Sequence, residues 1–100
     1  MTINIQSVHF DADQKLLDFV NEKVSKLSTF YDGIISSEVI LRLDKSSTSD
    51  NKIAEIKVLC KGHDLFAKKQ CESFEEATDQ VCEALKTQIK KHKDKLIQQH

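Results

Sequence analysis

EVILRLDKSSTSDNKIAEIKVLCK, residues 38–61, decides the architecture. Glu38 to Asp44 alternates, with Val39, Leu41 and Leu43 on one side of an extended chain. Residues 52–61 alternate as well, with Ala54, Ile56, Val58 and Cys60 on one face and Glu55 and Lys57 on the other. A period of two sustained over such lengths marks strands with one buried face. Between them KSSTSDNK, residues 45–52, offers nothing apolar to bury. An antiparallel hairpin is the simplest way to join the two strands.

Toward the N-terminus, Ile3, Ile5, Val8 and Phe10 alternate with one break, which predicts a strand over 2–10 with a bulge near Ser7. Asp11 and Asp13 then offer N-cap oxygens. From Lys15 the period lengthens: Leu16, Leu17, Val20, Val24, Leu27 and Tyr31 form one apolar stripe, which predicts an amphipathic helix over 14–31. Gly33 follows, where a helix C-terminus favours glycine. Beyond the hairpin, KGHD (61–64) reads as a second turn leading to a short strand at Leu65–Gln70. Ser73-x-x-Glu76 is a capping box. It opens a helix expected over 74–97, with Phe74, Ala77, Val81, Leu85, Ile89 and Leu96 inward. The expected fold is α+β, in the order β-α-β-β-β-α: a four-stranded, antiparallel-rich sheet with both helices on one face.

At 100 residues the chain suits a single domain, and 39% apolar residues allow a modest core without staples. There is no proline and there are two glycines, so neither a flexible linker nor a repeat interrupts the chain. MTINIQSVHF has no basic region followed by an apolar one, and apolar runs such as Val39–Leu41 are far too short to span a membrane. Cys60, Cys71 and Cys82 form an odd set without paired spacing, as in a reducing compartment. These features predict a cytoplasmic protein. Fifteen basic against sixteen acidic residues give a net charge of −1, which argues against a chain that is basic all over.

The average conceals a segregation. Cys71 to Leu85 holds five acids (Glu72, Glu75, Glu76, Asp79, Glu83) and no base, whereas Lys86 to Lys95 holds five lysines against Asp94. Acids early and bases late suit the helix macrodipole, but that preference does not require five lysines in ten residues. Lys86, Lys90 and Lys93 share one stripe, Lys91 projects elsewhere, and Lys23 and Lys26 lie at the border and outer side of the first helix. Two helices on one sheet face would gather these groups into a basic patch of the kind that binds phosphates. A solvated helix face also carries lysines, so both readings stand at this point.

Other chemistry has less support. Cys60-x-x-His63 with Cys71 and Cys82 matches no zinc module, and no signature frames a cysteine nucleophile. His92 falls on the apolar side of its helix, where a packed or rim histidine is expected. Two glycines make no phosphate loop. No enzyme, no metal, no cofactor and no small-molecule substrate are expected.

Asn-Ile-x-Ser at 4–7, Lys-x-x-Lys-Leu at 23–27, Phe-Tyr-Asp at 30–32 and QIKKHKDKL at 88–96 resemble one family. It is the ribosome hibernation-promoting factor and protein Y family, also called ribosome-associated inhibitor or sigma-54 modulation protein. The likeness covers almost the whole chain, and Lys91–Leu96 is its most specific part. The resemblance implies a βαβββα fold similar to the double-stranded RNA-binding domain. It implies binding to the small ribosomal subunit, contacting 16S rRNA at the decoding region, where tRNA and mRNA would lie, in stationary phase or stress. By position it assigns rRNA contacts to Lys23, Lys26, Lys90, Lys91 and Lys93, with Lys86 replacing a neighbouring basic position from a different angle. Two positions where relatives carry basic residues are Ala84 and Thr87 here, while Lys68 and Lys69 extend the basic set before the last helix.

The length matches the short type, a single ribosome-binding domain over 1–100 without the C-terminal dimerisation domain of long members. Such a protein is expected to block translation or to favour 100S dimers together with a separate ribosome modulation factor. The alternative is a protein-interaction regulator such as a sigma-factor modulator, using the acidic half of the last helix or the open sheet face.

Overall fold

Strand β1 (Thr2–Val8), helix α1 (Gln14–Ser25), a 3-10 turn (Lys26–Thr29), β2 (Ile34–Leu43), β3 (Lys52–Cys60), β4 (His63–Cys71) and α2 (Phe74–Gln98) follow in that order. They are taken from a computed structural model that describes residues 1–45 and 49–98, with side chains to Asp94. Ser46–Thr48 of the polar loop, Lys95, the inward position expected of Leu96, and Gln99 and His100 lie outside what is described. The sheet order is β1-β2-β3-β4, with β1 parallel to β2 and the other pairs antiparallel. This is the expected α+β order β-α-β-β-β-α.

The 38–61 stretch forms the hairpin its alternation predicts, with Val39 opposite Ile56 and Leu41 opposite Ala54. All four are buried, and they face Val20 and Val24 of α1 and Val81, Leu85 and Ile89 of α2 in one core. Each fully buried aliphatic side chain of this size stabilises the fold by roughly 1.5–3 kcal/mol. The opposite face stays open and carries cross-strand charge: Arg42 Nη2 lies 2.8 Å from Glu55 Oε2, and Lys57 Nζ 3.9 Å from Asp64 Oδ2.

The two helices run side by side in the same direction. Phe10, just before α1, stacks on Phe74 at the start of α2 with ring centroids 4.4 Å apart. Farther along, Lys23 Nζ reaches Asp79 Oδ1 at 3.0 Å, and beyond α1 the Phe30 carbonyl accepts from Lys93 Nζ at 2.8 Å. Both helix starts carry side-chain caps. Asp13 Oδ1 accepts from Leu16 N at 2.8 Å, and Ser73 Oγ accepts from Glu76 N at 3.1 Å.

Several boundaries differ from the sequence expectation. β1 pairs with β2 without a bulge from Thr2/Ser36 to Val8/Arg42 and ends at Val8, because His9 turns the chain at φ 68. The irregularity lies instead in β2, between Ile34 and Ser36, and it lengthens that strand backward from Glu38 to Ile34. The α1 stripe continues in spacing to Tyr31, but the backbone tightens into the 3-10 turn at Lys26. Gly33 therefore does not cap a helix. A Cβ at this position would overlap the Tyr31 ring, so glycine makes room for that side chain. β4 starts at His63 rather than Leu65, because a two-residue turn, Lys61–Gly62, closes the second hairpin. Gly62 takes φ 81 there, a region that L side chains rarely adopt.

Candidate nucleic-acid interface

Helical geometry places Asp79, Glu83, Lys86, Lys90 and Lys93 along one outward stripe of α2. The stripe changes sign between Glu83 and Lys86. Its basic half lies beside the chain leaving the 3-10 turn, and Phe30 seats itself there. Phe30, Lys86, Ile89, Lys90, Lys93 and Asp94 line a groove of about 350 Å³. The Lys86 ammonium stands 4.9 Å from the centroid of the Phe30 ring, while Lys93 donates to the Phe30 carbonyl. A lysine at the end of a 3-10 turn meets free carbonyls there, which accounts for the Lys93 contact.

Of the six lysines expected at the interface, the fold thus brings Lys86, Lys90 and Lys93 together. Lys91 is exposed on another flank, about 100° away around α2. Lys26 is exposed at the start of the 3-10 turn and pairs with Glu22, one helical turn earlier, at 3.8 Å. Lys23 is half-buried between the helices and held by Asp79, with the Phe19 ring 5.6 Å from its ammonium. The hydrogen bond and charge of Asp79 raise the Lys23 pKa above its ordinary 10.5. Among the described residues Lys86, Lys90 and Lys91 have no ion-pair partner.

Ala84 and Thr87 lie on the flank of α2 that looks toward β4, in a groove shared with Lys69, Glu76, Asp79, Gln80 and Glu83. That groove is mainly acidic. Lys69 enters it, whereas Lys68 points to the open face of the sheet opposite Glu55, so the two lysines do not extend the patch as a pair. The basic surface is therefore one-sided.

Phe30 was not among the residues that spacing singled out. The sequence holds one signal for it, the aromatic pair Phe30-Tyr31 after a basic helix end. Which ring reaches the lysines depends on where the helix stops. Tyr31 turns the other way: its hydroxyl lies 3.4 Å from His92 Nε2, and His92 stacks on His63 at 5.0 Å between centroids. His92 is thus a packed rim residue, as its place on the apolar side predicts.

The thiols are not set up for nucleophilic work. Cys60 and Cys71 are buried, and desolvation raises the pKa of both. Burial, helped by the nearby Asp79 charge, pushes Cys82 from 9.0 to about 11. Among the described residues no three His, Cys, Asp or Glu side chains gather in a metal-holding group. No described helix is long and apolar enough to cross a membrane.

Comparison with known proteins matches this geometry to one family. A family model described as sigma 54 modulation protein / S30EA ribosomal protein covers residues 3–97. The chain is 32% identical over 103 residues to the ribosome hibernation promoting factor of Escherichia coli strain K12, spanning 98% of this chain and 99% of that protein. It is 33% identical over 98 residues to the factor of the same name from Azotobacter vinelandii, spanning 98% and 88%. In three dimensions it superposes on a ribosomal subunit interface protein from Coxiella burnetii with a TM-score of 0.84 at 21% identity, covering 94% of this chain and 99% of that one. The Thermus thermophilus Protein Y N-terminal domain superposes with a TM-score of 0.78 at 24% identity, over 92% and 99%. Both structures share the fold.

Proposed function

This chain belongs to the sigma 54 modulation protein / S30EA ribosomal protein family, and from that premise we propose that it is a cytoplasmic factor that idles ribosomes under starvation or stress. It has no catalytic step to perform. It binds the small ribosomal subunit and contacts 16S rRNA at the decoding region, occupying the path of tRNA and mRNA. Once bound it blocks translation, or favours 100S ribosome pairs together with a separate modulation factor.

The observation that carries this reading is the stripe of Lys86, Lys90 and Lys93 gathered at the Phe30 groove. Structured RNA is recognised largely through shape and phosphate contacts, so a rigid helix presenting ammonium groups at fixed spacing suits it. Lys26 and Lys91 widen the basic end, and Lys23 lies at its edge. Asp79 and Glu83 lie on the same stripe of α2 but nearer its start, so the lysine end is the part that meets the phosphates.

Sucrose-gradient profiles of stationary-phase cells with and without the protein test the reading. The protein is expected to cosediment with 30S or 70S particles, and a triple Lys90→Glu, Lys91→Glu, Lys93→Glu variant to leave them while still folding. Unchanged sedimentation of that variant would remove the patch assignment. Capture of a polymerase factor with no ribosomal RNA would instead favour the protein-interaction regulator.

A further inference from the structure

The Phe30 groove has chemistry that phosphate binding alone does not need. Its floor is Phe30 and Ile89, its walls are the stems of Lys86, Lys90 and Lys93, and Phe30 remains 37% exposed. An aromatic ring at the surface beside several ammonium groups is the arrangement used by proteins that hold single-stranded nucleic acid, in which bases stack while cations follow the backbone. We infer that this groove takes one unpaired RNA base, stacked on the Phe30 ring, with its flanking phosphates on Lys86, Lys90 and Lys93.

The inference rests on the RNA-binding reading above and adds a base-contacting residue to it. Lys86 now covers the Phe30 ring and has no ion-pair partner among the described residues. An exposed ammonium over a ring is weakly held, and a phosphate is its stronger partner. When a phosphate arrives, Lys86 swings to it and frees the ring face for a base. The Lys93 bond to the Phe30 carbonyl holds the backbone that presents the ring. Asp94 also lines the groove, and its carboxylate repels a phosphate but can accept hydrogen bonds from the N–H groups on a base edge.

The test uses three labelled probes in fluorescence anisotropy at about 50 mM salt: a hexa-adenylate ribonucleotide, an abasic ribose-phosphate strand of equal length, and a blunt RNA duplex. The whole chain is expected to bind the hexa-adenylate about tenfold more tightly than the abasic strand. Phe30→Leu keeps an apolar side chain but loses the π face, so it should erase this preference and leave the abasic affinity unchanged. Phe30→Tyr should preserve the preference. Lys90→Ala should weaken both strands by the same factor. Thermal unfolding of each variant checks that the fold is retained. Equal affinity of the unaltered protein for the two strands, or a preference that survives Phe30→Leu, overturns the stacked base. Binding to the duplex but to neither strand overturns it too and leaves the RNA reading intact, whereas binding to no probe and to no ribosomal particle overturns both.

Discussion

Replacing Lys86, Lys90 and Lys93 with alanine, singly and together, should lower the salt dependence of binding to small ribosomal subunits in steps. Each lysine that neutralises one phosphate contributes roughly 0.7–0.9 to the slope of log affinity against log salt. The three lysines gathered at the Phe30 groove therefore account for roughly 2–3 of that slope. Between about 50 and 200 mM salt this part alone corresponds to a roughly 20- to 40-fold loss of affinity, which the triple variant should no longer show. Alanine preserves helix propensity in α2, so the change reports charge rather than folding. Lys23 is the internal control. Asp79 already neutralises it at 3.0 Å, so Lys23→Gln should change the slope by less than half as much as Lys90→Ala. Anisotropy titrations of labelled protein against purified subunits, at four or five salt concentrations, give the slopes. An unchanged slope in the triple variant, or equal effects of Lys23→Gln and Lys90→Ala, would refute the reasoning.

Gly33→Ala should push aside the outer end of the half-exposed Tyr31 ring, which the new Cβ overlaps, and destabilise the domain by about 1 kcal/mol. Urea unfolding followed through Tyr31, the single tyrosine, measures the loss, and an unmoved midpoint contradicts the packing argument. Leu85→Ala, which removes a fully buried side chain from the centre of α2, should cost about 2–5 kcal/mol while leaving the salt slope unaltered. The Cys82 thiol, pushed from 9.0 to about 11, has roughly a hundredth of the ordinary thiolate fraction at pH 8. Iodoacetamide should thus modify it at least that much more slowly than the unfolded chain, and comparable rates would show the thiol to be exposed. Lys23 and Cys82 both bind their protons more tightly in the folded than in the unfolded state. The Cys82 contribution is complete below about pH 9 and declines as pH rises toward 11, whereas that of Lys23 holds up to about 10.5 and is lost above it. The urea midpoint should therefore fall from about pH 9 upward, and fall less between about 9 and 10.5 in Cys82→Ala.

What the sequence made legible was what short-range pattern can carry. The 38–61 alternation gave both central strands, Ser73 and Asp13 marked the helix starts, and the run from Glu72 to Lys93 showed the reversal of charge. The misplaced boundaries have local causes that periodicity does not register. His9 at φ 68 cuts β1 short, the irregularity at Ile34/Ser36 hides the four residues of β2 before Glu38 from a period-two search, and the α1 stripe runs smoothly over a change to 3-10 geometry at Lys26. The site was legible only in part, for a different reason. Lys23 and Asp79 are far apart in the chain, and nothing in either neighbourhood says that one will hold the other. Phe30 likewise joins the lysines through a tertiary contact across the two helices.

The shared direction of α1 and α2 has a consequence for how the molecule travels. Both helix starts lie at the end carrying Asp11, Asp13 and Glu75 around the Phe10–Phe74 stack, and the lysine groove lies past the far end of α1. A body charged this way feels little net pull toward a polyanion at long range, since its total is −1. It does feel a torque. As it nears a surface of phosphates it rotates, so that most encounters begin with the lysine end leading and few collisions are wasted on the acidic end. Replacing Asp11 and Glu75 with lysine, with the Asp13 cap kept, should leave the bound geometry unchanged and alter how quickly the complex forms.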